Sequence, residues 1–356
     1  MRRIVRARAP LRLSFAGGGT DVAPFPEREG GLVLNATIDR FAYGALTERD
    51  DDRITIESLD LGMILEFSDR EEVELDGQLD LVKAAVQRLG GQRRGGGTPD
   101  GRRRSDRQDR GFDLILETAA PPGSGLGSSS SLVVCLIGLL NDFYDRGLDS
   151  YEIAKLAVTI EREELGLRGG LQDQYASAFG GFNFMEFEGE RRVVNPLRIK
   201  ESVLDELESN LLLCFTGSTR AGAHVIEDQT RRYEESEEAT VDGMRAQKQL
   251  AVEMKDAVLR GDLVQFGLLL DRAWQAKRAM SPKIPNSFID QLYETAREAG
   301  AIGGKVTGAG GGGYMVFYCR YDRKHHVTAA LREAGAEIDD FAFDHRGLRT
   351  WRPSTA

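Results

Sequence analysis

Between Pro121 and Ser131 the chain reads PPGSGLGSSSS, and an apolar run, LVVCLIGLL, follows at once. Three glycines at alternate positions let backbone N–H groups approach a ligand with no side chain in the way. The apolar run predicts a helix from Leu126 to Tyr144, so the loop opens a helix whose unpaired N–H groups and dipole face one point. The serines add hydroxyls that can bond phosphate oxygens or a magnesium ion. By construction this is an anion cradle. It is not a Walker loop, because no Gly-Lys-Ser/Thr closes it. Nor is it the dinucleotide fingerprint, since the spacing is G-x-G-x-G and no acidic residue follows a strand about 20 positions on. The competing reading is a glycine-rich turn with serine caps.

A chain of 356 residues is long enough for two domains that share a cleft, and a boundary near residue 195 is expected to separate two α+β halves. The net charge of -10 argues against nucleic acid as a partner, because phosphate backbones select basic surfaces. The longest uncharged apolar run, Leu132 to Leu140, is far short of the roughly 20 residues that span a bilayer. The N-terminal MRRIVRARAPLRLSF lacks the apolar stretch of a secretion signal. Cys135, Cys214 and Cys319 are an odd number, isolated in apolar surroundings, which reads as reduced, buried and cytoplasmic. His224, His325, His326 and His345 form neither a ligand set nor a triad.

The first segment predicts strands at Arg8 to Phe15, Phe41 to Leu46, Arg53 to Glu57 and Phe112 to Glu117, with a helix at Leu79 to Leu89. Residues 92–110 hold seven arginines, three aspartates and no aliphatic or aromatic residue, so the segment reads as a mobile surface loop. The sharper alternative is a basic arm for anionic partners. Further helices are expected at Tyr151 to Leu165, Gln172 to Phe179, Ala223 to Ala257, Ser287 to Ala299 and His326 to Ala334. Strands are expected at Phe182 to Phe187, Leu211 to Thr216 and Tyr314 to Cys319.

Two more glycine clusters flank strands: Gly17-Gly18-Gly19-Thr20-Asp21 after the first, and Gly303 to Gly313, GGKVTGAGGGG, before Tyr314. Together with PPGSGLGSSSS, the segments PLRLSFAGGGTD and KVTGAGGGG resemble, in order, the three motifs of the GHMP kinase family. Within it, APLRLSFAGGGTDVAPF, LNATIDRFAYGAL, GGLQDQYASAFGGFNFMEF and SPKIPNSFIDQLYETAREAGAIGGKVTGAGGGG are similar to the D-glycero-D-manno-heptose 7-phosphate kinases. Galactokinases carry an acidic-histidine pair where this chain has Gly18-Gly19. The resemblance implies a two-domain α+β fold, with a ribosomal-protein-like N-terminal domain (1–195), a ferredoxin-like C-terminal domain (196–356) and the active site between them.

It also implies ATP and Mg2+ as cofactors, with ATP held by Pro122, Gly123, Ser124, Gly125, Leu126, Gly127, Ser128, Ser129 and Ser130. Glu161 falls on one helical stripe with Ala154, Ala157, Val158 and Leu165, so it should point inward and need a partner. The family places a magnesium-binding glutamate there with a serine matching Ser129; pairing with Arg162 or Arg168 is the plainer reading. Asp173 sits in the first turn of a helix, where the dipole stabilises an acid whatever its job; the resemblance makes it the catalytic base. Arg12 resembles the basic residue that supports the transferring phosphate. Gly18, Gly19, Thr20, Asp21, Asp173, Gly310 and Gly311 are placed on the sugar side. A phosphorylated sugar needs a basic clamp at its far end, for which Arg168, Arg220, Lys277, Arg278 and Lys283 stand unranked. The activity implied is ATP-dependent phosphorylation of an anomeric hydroxyl, converting D-glycero-D-manno-heptose 7-phosphate to the 1,7-bisphosphate. Rivals are an octose 8-phosphate or free-sugar kinase, an ATP-driven decarboxylase of the same superfamily, and a non-catalytic ATP or sugar binder. Oligomeric state is open, a homodimer included.

Overall fold

The computed structural model describes residues 2–90, 110–217, 222–284 and 286–353. The first half runs β1 (Ile4–Ala16), α1 (Phe25–Arg28), β2 (Gly31–Glu48), β3 (Ile54–Ser58), β4 (Met63–Phe67), α2 (Asp80–Gly90), β5 (Phe112–Thr118), α3 (Ser128–Phe143), α4 (Ser150–Val158), α5 (Gln172–Phe179), β6 (Phe182–Glu188) and β7 (Arg191–Pro196). The second runs α6 (Glu201–Asn210), β8 (Leu211–Phe215), α7 (Ala223–Glu234), α8 (Glu238–Arg260), α9 (Leu263–Ala279), α10 (Ser287–Ala299), β9 (Ala301–Val306), β10 (Tyr314–Cys319), α11 (Tyr321–Glu333), β11 (Glu337–Asp339) and β12 (Arg349–Trp351).

Among the described residues these strands form two sheets. The larger has the order β12-β1-β2-β5-β3-β4, with β6 joined to β2 and β7; the smaller is β11-β8-β10-β9. Strand β2 is long enough to pair with β6 through Gly31 to Ala36 and with β5 through Ala42 to Glu48 while lying antiparallel to β1 between Leu34 and Thr47. The β1–β2 register slips between Pro10 and Leu11, where proline has no N–H for the ladder. Beyond the slip, β1 turns to the 121–131 loop: Ser131 Oγ donates to Pro10 O at 2.9 Å, and Arg12 N donates to Leu126 O at 3.0 Å.

The two halves share a core. Phe15 of β1 stacks on Phe182 of β6 with centroids 5.3 Å apart and meets the edge of Phe266 of α9, also at 5.3 Å. All three rings are buried, and each aromatic contributes roughly 2–3 kcal/mol of apolar burial.

Several sequence expectations need correction. The helix placed over Tyr151 to Leu165 is α-helical only to Val158; Thr159–Glu164 is a π-turn. The polar stretch from Ala223 is two helices, broken at 235–237. Gly303, Gly304 and Lys305, read as loop, lie in β9. The 196–356 division is crossed by the chain's end, because β12 returns to pair with β1 (Arg6 against Trp351) and Phe343 bridges Ile38. Of the arginine-rich segment, 92–109 lies outside the described residues; Arg110 makes an ion pair with Glu48 at 3.5 Å.

Candidate active site

A cleft of about 310 Å³ lies where β1, the 121–131 loop and α5 meet α7 and α9. The loop is built by alternation. Gly123, Gly125 and Gly127 all have positive φ (79°, 81° and 78°) and line the cleft. Ser124 and Leu126, between them, are buried away from it: Ser124 O accepts from Tyr314 N at 2.9 Å, and Leu126 O accepts from Arg12. At Gly125 a Cβ would lie 2.5 Å from Thr307 O, so the second and third glycine motifs touch backbone to backbone. Gly127 caps α3 without a side chain, which leaves the first N–H groups of α3 open. Ser128, Ser129 and Ser130 line the cleft; Pro122, with Ser128 and Ser129, borders an adjoining apolar hollow of about 360 Å³ that includes Leu79, Leu132 and Leu165. Of the nine residues assigned to the nucleotide, the structure therefore turns Ser124 and Leu126 into the protein.

Arg12 and Asp173, 161 positions apart, form a pair at the foot of this loop. The Arg12 Nε and Nη2 atoms reach Asp173 Oδ1 at 2.8 and 2.7 Å, and Nη1 donates to Gly125 O. Arg12 is buried and Asp173 partly exposed. Asp173 Oδ2 has no hydrogen-bond partner among the described residues and lies 3.3 Å from where a Gly127 Cβ would be. The arginine fixes the carboxylate and leaves one oxygen free beside the 121–131 loop, among the described residues.

Glu161, carried on the π-turn, is 1% exposed. Such a turn inserts an extra residue and re-aims the side chains after it. Ser130 Oγ donates to its Oε2 at 2.8 Å, Gln174 Nε2 donates to the same oxygen, and Arg162 stands 4.0 Å away. Burial raises the Glu161 pKa from its ordinary value, opposed by Arg162 and the two donors and reinforced by Asp173. A cation would relieve this buried charge. Ser130, not Ser129, touches Glu161, but Ser129 and Glu161 both border the cleft, and one or two carboxylates beside nucleotide phosphates are the usual protein share of a magnesium site. The residues fit that ion.

Among the residues expected on the sugar side the roles divide. Asp21 borders the cleft, yet its Oδ1 accepts from Gly19 N (3.1 Å) and its Oδ2 from Gln172 N (3.0 Å), so it ties the Gly17–Gly19 turn to α5. Thr20 is wholly buried, bonding Gly17 O and both backbone groups of Leu32. It does not border the cleft, whereas Gly18 and Gly19 do. Gly310 and Gly311 do not border it either; a Cβ on Gly310 would meet Ile284, and Gly308 and Ala309 form the wall instead. Of the five basic residues, Arg278 pairs with Asp290 (3.2 Å), Lys283 faces Asp228 (3.7 Å), and Arg220 lies outside the described residues. Arg168 and Lys277 reach the cleft, the first exposed and the second buried.

Three polar residues escaped the sequence reading. Gln174 holds Glu161, and Gln229 lines the cleft from α7. Lys305 is 3% exposed and donates to Ser14 O at 2.6 Å. Burial, with Lys277 and Arg12 adding repulsion, pushes its pKa down to about 7. Only its place in KVTGAGGGG signalled it.

Known proteins resemble this chain in sequence and in fold. Models of the GHMP kinases N terminal domain and the GHMP kinases C terminal match residues 80–181 and 254–337. A D-glycero-alpha-D-manno-heptose 7-phosphate kinase of Campylobacter jejuni is 38% identical over 351 residues, spanning 98% of this chain and 99% of that one. The crystal structure of a D-glycero-D-manno-heptose 1-phosphate kinase from Bacteroides thetaiotaomicron superposes with a TM-score of 0.80 at 35% identity, over 99% of this chain and 100% of that one. Lactococcus lactis galactokinase complexed with galactose shares the fold at 21% identity, with a TM-score of 0.74 over 97% and 95% of the two chains.

Proposed function

This chain belongs to the GHMP kinase family, and we propose that it transfers the terminal phosphoryl group of ATP to the anomeric hydroxyl of D-glycero-D-manno-heptose 7-phosphate, giving the 1,7-bisphosphate. The chain is a phosphotransferase acting on a sugar hydroxyl; the seven-carbon phosphorylated acceptor and the residue roles are the finer reading. The observation that carries it is the Arg12–Asp173 pair, with its free Oδ2 at the mouth of a helix-capping phosphate loop.

In this reading Gly123 to Ser130 hold the ATP phosphates, and the hollow between Leu79 and Leu132 takes the base. Asp173 Oδ2 accepts the anomeric proton, the sugar oxygen bonds to the terminal phosphorus, and the bond from that phosphorus to the bridging oxygen breaks to release ADP. Arg12 holds Asp173 in place and offers charge to the migrating group. Magnesium, when bound, supplies charge neutralisation on the phosphates, and Ser129 with Glu161 would hold it. The three cysteines are free and buried, which supports a reducing, cytoplasmic setting. No helix among the described residues is long and apolar enough to cross a membrane.

The two heptose kinases matched above differ in the carbon their names assign to the phosphate, so the test must identify the product. ATP turnover is measured with hexose, heptose 7-phosphate and octose 8-phosphate acceptors, and phosphorus NMR locates the new ester. Heptose 7-phosphate should stimulate ADP release and yield the 1,7-bisphosphate, with Asp173→Asn slower by about 10²–10⁴-fold. Turnover confined to another acceptor, or ADP release with no new phosphate ester, overturns the reading.

A further inference from the structure

We propose that Lys277 and Gln229 form the subsite that recognises the phosphate already present on the acceptor, and so set the enzyme's preference for a phosphorylated sugar. The inference rests on the kinase reading above and supplies the far-end contact which that reading leaves unassigned.

Both residues come from the C-terminal half and reach the same stretch of glycine loop. Lys277 of α9 is 4% exposed, and its Nζ donates to Gly18 O at 3.2 Å. No carboxylate lies within ion-pair distance of it among the described residues. Asp21, the acid close enough to favour its charge, has both oxygens engaged by Gly19 and Gln172. Gln229 of α7 is 2% exposed, and its Nε2 has no hydrogen-bond partner among the described residues. A Cβ on Gly19 would lie 3.5 Å from Lys277 Nζ and 3.8 Å from Gln229 Oε1, so both side chains converge on one point, and both border the cleft.

A buried ammonium whose one partner is a neutral carbonyl, and a buried amide N–H with none among the described residues, are costly to keep. An ammonium with no ion-pair partner at one end of the cleft, beside a buried amide whose Nε2 is unpartnered among the described residues, fits an anion. The other end is occupied by Asp173 and the phosphate loop. Gly18 links the two ends, since a Cβ there would lie 3.7 Å from Gln172 Nε2, and Gln172 adjoins Asp173. A sugar with its reacting hydroxyl at Asp173 thus has its far end directed along Gly18 and Gly19 to Lys277. Of the other cations lining the cleft, Arg12 is held by Asp173 and Arg162 by Glu161 and the carbonyls of Leu167 and Gly170, while Arg168 is exposed and lacks the enclosure that gives discrimination.

The experiment compares wild type, Lys277→Met, Lys277→Arg and Gln229→Leu, with circular dichroism confirming the fold of each. Acceptor KM and kcat are measured for heptose 7-phosphate and for unphosphorylated heptose, and inorganic phosphate is titrated as a competitor. Lys277→Met should raise the phosphorylated acceptor's KM by roughly 10²–10³-fold and weaken phosphate competition equally, with little change for the unphosphorylated sugar. Gln229→Leu should do the same by roughly 5–10-fold. Lys277→Arg should recover part of the discrimination. If Lys277→Met lowers kcat and leaves the KM ratio of the two sugars intact, the lysine serves the transferred phosphoryl group and the proposal is wrong. If wild type fails to use heptose 7-phosphate, the acceptor assignment falls instead, and phosphate binding in wild type against Lys277→Met still decides the subsite.

Discussion

Replacing Lys305 by methionine should make the folded protein more stable near neutral pH and less stable near pH 10. The ammonium is buried in β9 with the Ser14 carbonyl as acceptor, and no carboxylate lies within ion-pair distance among the described residues. Burial, then repulsion from Lys277 and Arg12, lowers its pKa from 10.5 to about 7. The unfolded chain therefore keeps the proton up to about pH 10.5, whereas the folded protein releases it near 7. Stability from this group is full above about 10.5, falls as pH drops toward 7, and is flat below. At about 1.4 kcal/mol per pH unit, the fall from 10.5 to about 7 caps the cost at about 5 kcal/mol. Relaxation around a buried charge reduces this, and about 2–3 kcal/mol is a working figure. Methionine abolishes that cost but leaves Ser14 O without its donor, a loss of about 1–2 kcal/mol. The variant should then be about 1 kcal/mol more stable than wild type at pH 6.5 and about 1–2 kcal/mol less stable at pH 10. Urea unfolding at half-unit steps from pH 6.5 to 10 measures the difference. A difference that stays constant across that range refutes the argument, because Lys305 would then hold its proton throughout.

Other residues of the cleft give sharper readouts. Gly127→Ala forces a side chain into a backbone at φ 78° and within 3.3 Å of the Asp173 carboxyl. Its kcat/KM for ATP should fall by roughly 10²-fold while the melting temperature drops only a few degrees, a split that steady-state kinetics and thermal melts resolve. Glu161→Gln keeps the Ser130 and Gln174 contacts near a neutral group. Because the Glu161 pKa is raised in the fold, its stabilising contribution is lost as pH rises through that value. The metal-free variant should therefore melt above wild type at pH 7 yet need roughly 10–100-fold more magnesium for half-maximal rate. Burial pushes Lys277 down to about 8 against the pull of Asp21, with Lys305 as its cationic neighbour. The KM for the phosphorylated acceptor should rise as pH passes above 8, and Lys277→Arg should flatten that rise.

Much of the helical frame could be read from sequence because its signals are local. Gln172–Phe179 and Ser287–Ala299 end at glycines, and Tyr314–Cys319 is an unbroken apolar run. The 121–131 loop was legible for the same reason: its alternate glycines lie at positive φ directly before α3. The π-turn under Glu161 was not, since the stripe through Ala154, Ala157 and Val158 continues smoothly into it and nothing in the composition marks the extra residue. Nor could the letters Gly-Leu-Gly show that Leu126 faces inward to bond Arg12. The third motif misled for a further reason. Its glycines Gly310 and Gly311 pack behind the wall they appear to form, because Gly308 must lie against Gly125 and the chain turns away after Ala309. Lys277, Lys305 and Gln229 become informative only when burial is known, and burial depends on contacts hundreds of residues apart.

Those contacts also explain why the site cannot be separated from the joint between the halves. Lys277 reaches from α9 to Gly18 O and Lys305 from β9 to Ser14 O; both acceptors are backbone carbonyls of β1 or of the loop that leaves it. Arg12, on the same strand, joins α5 through Asp173. Lys277, which lines the cleft, and Lys305, buried behind it, therefore also dock the C-terminal half onto β1. A backbone carbonyl satisfies an ammonium's geometry but supplies no compensating charge, so Lys277 and Lys305 remain attractive to an anion after docking, as a carboxylate partner would not allow. Keeping them costs stability, and such unrelieved charge is retained where binding uses it. On this argument a carboxylate introduced beside Lys305, as in Ser14→Asp, should tighten the fold and weaken phosphate binding together. Loss of phosphate binding without a gain in urea midpoint would show that docking and field are separable after all.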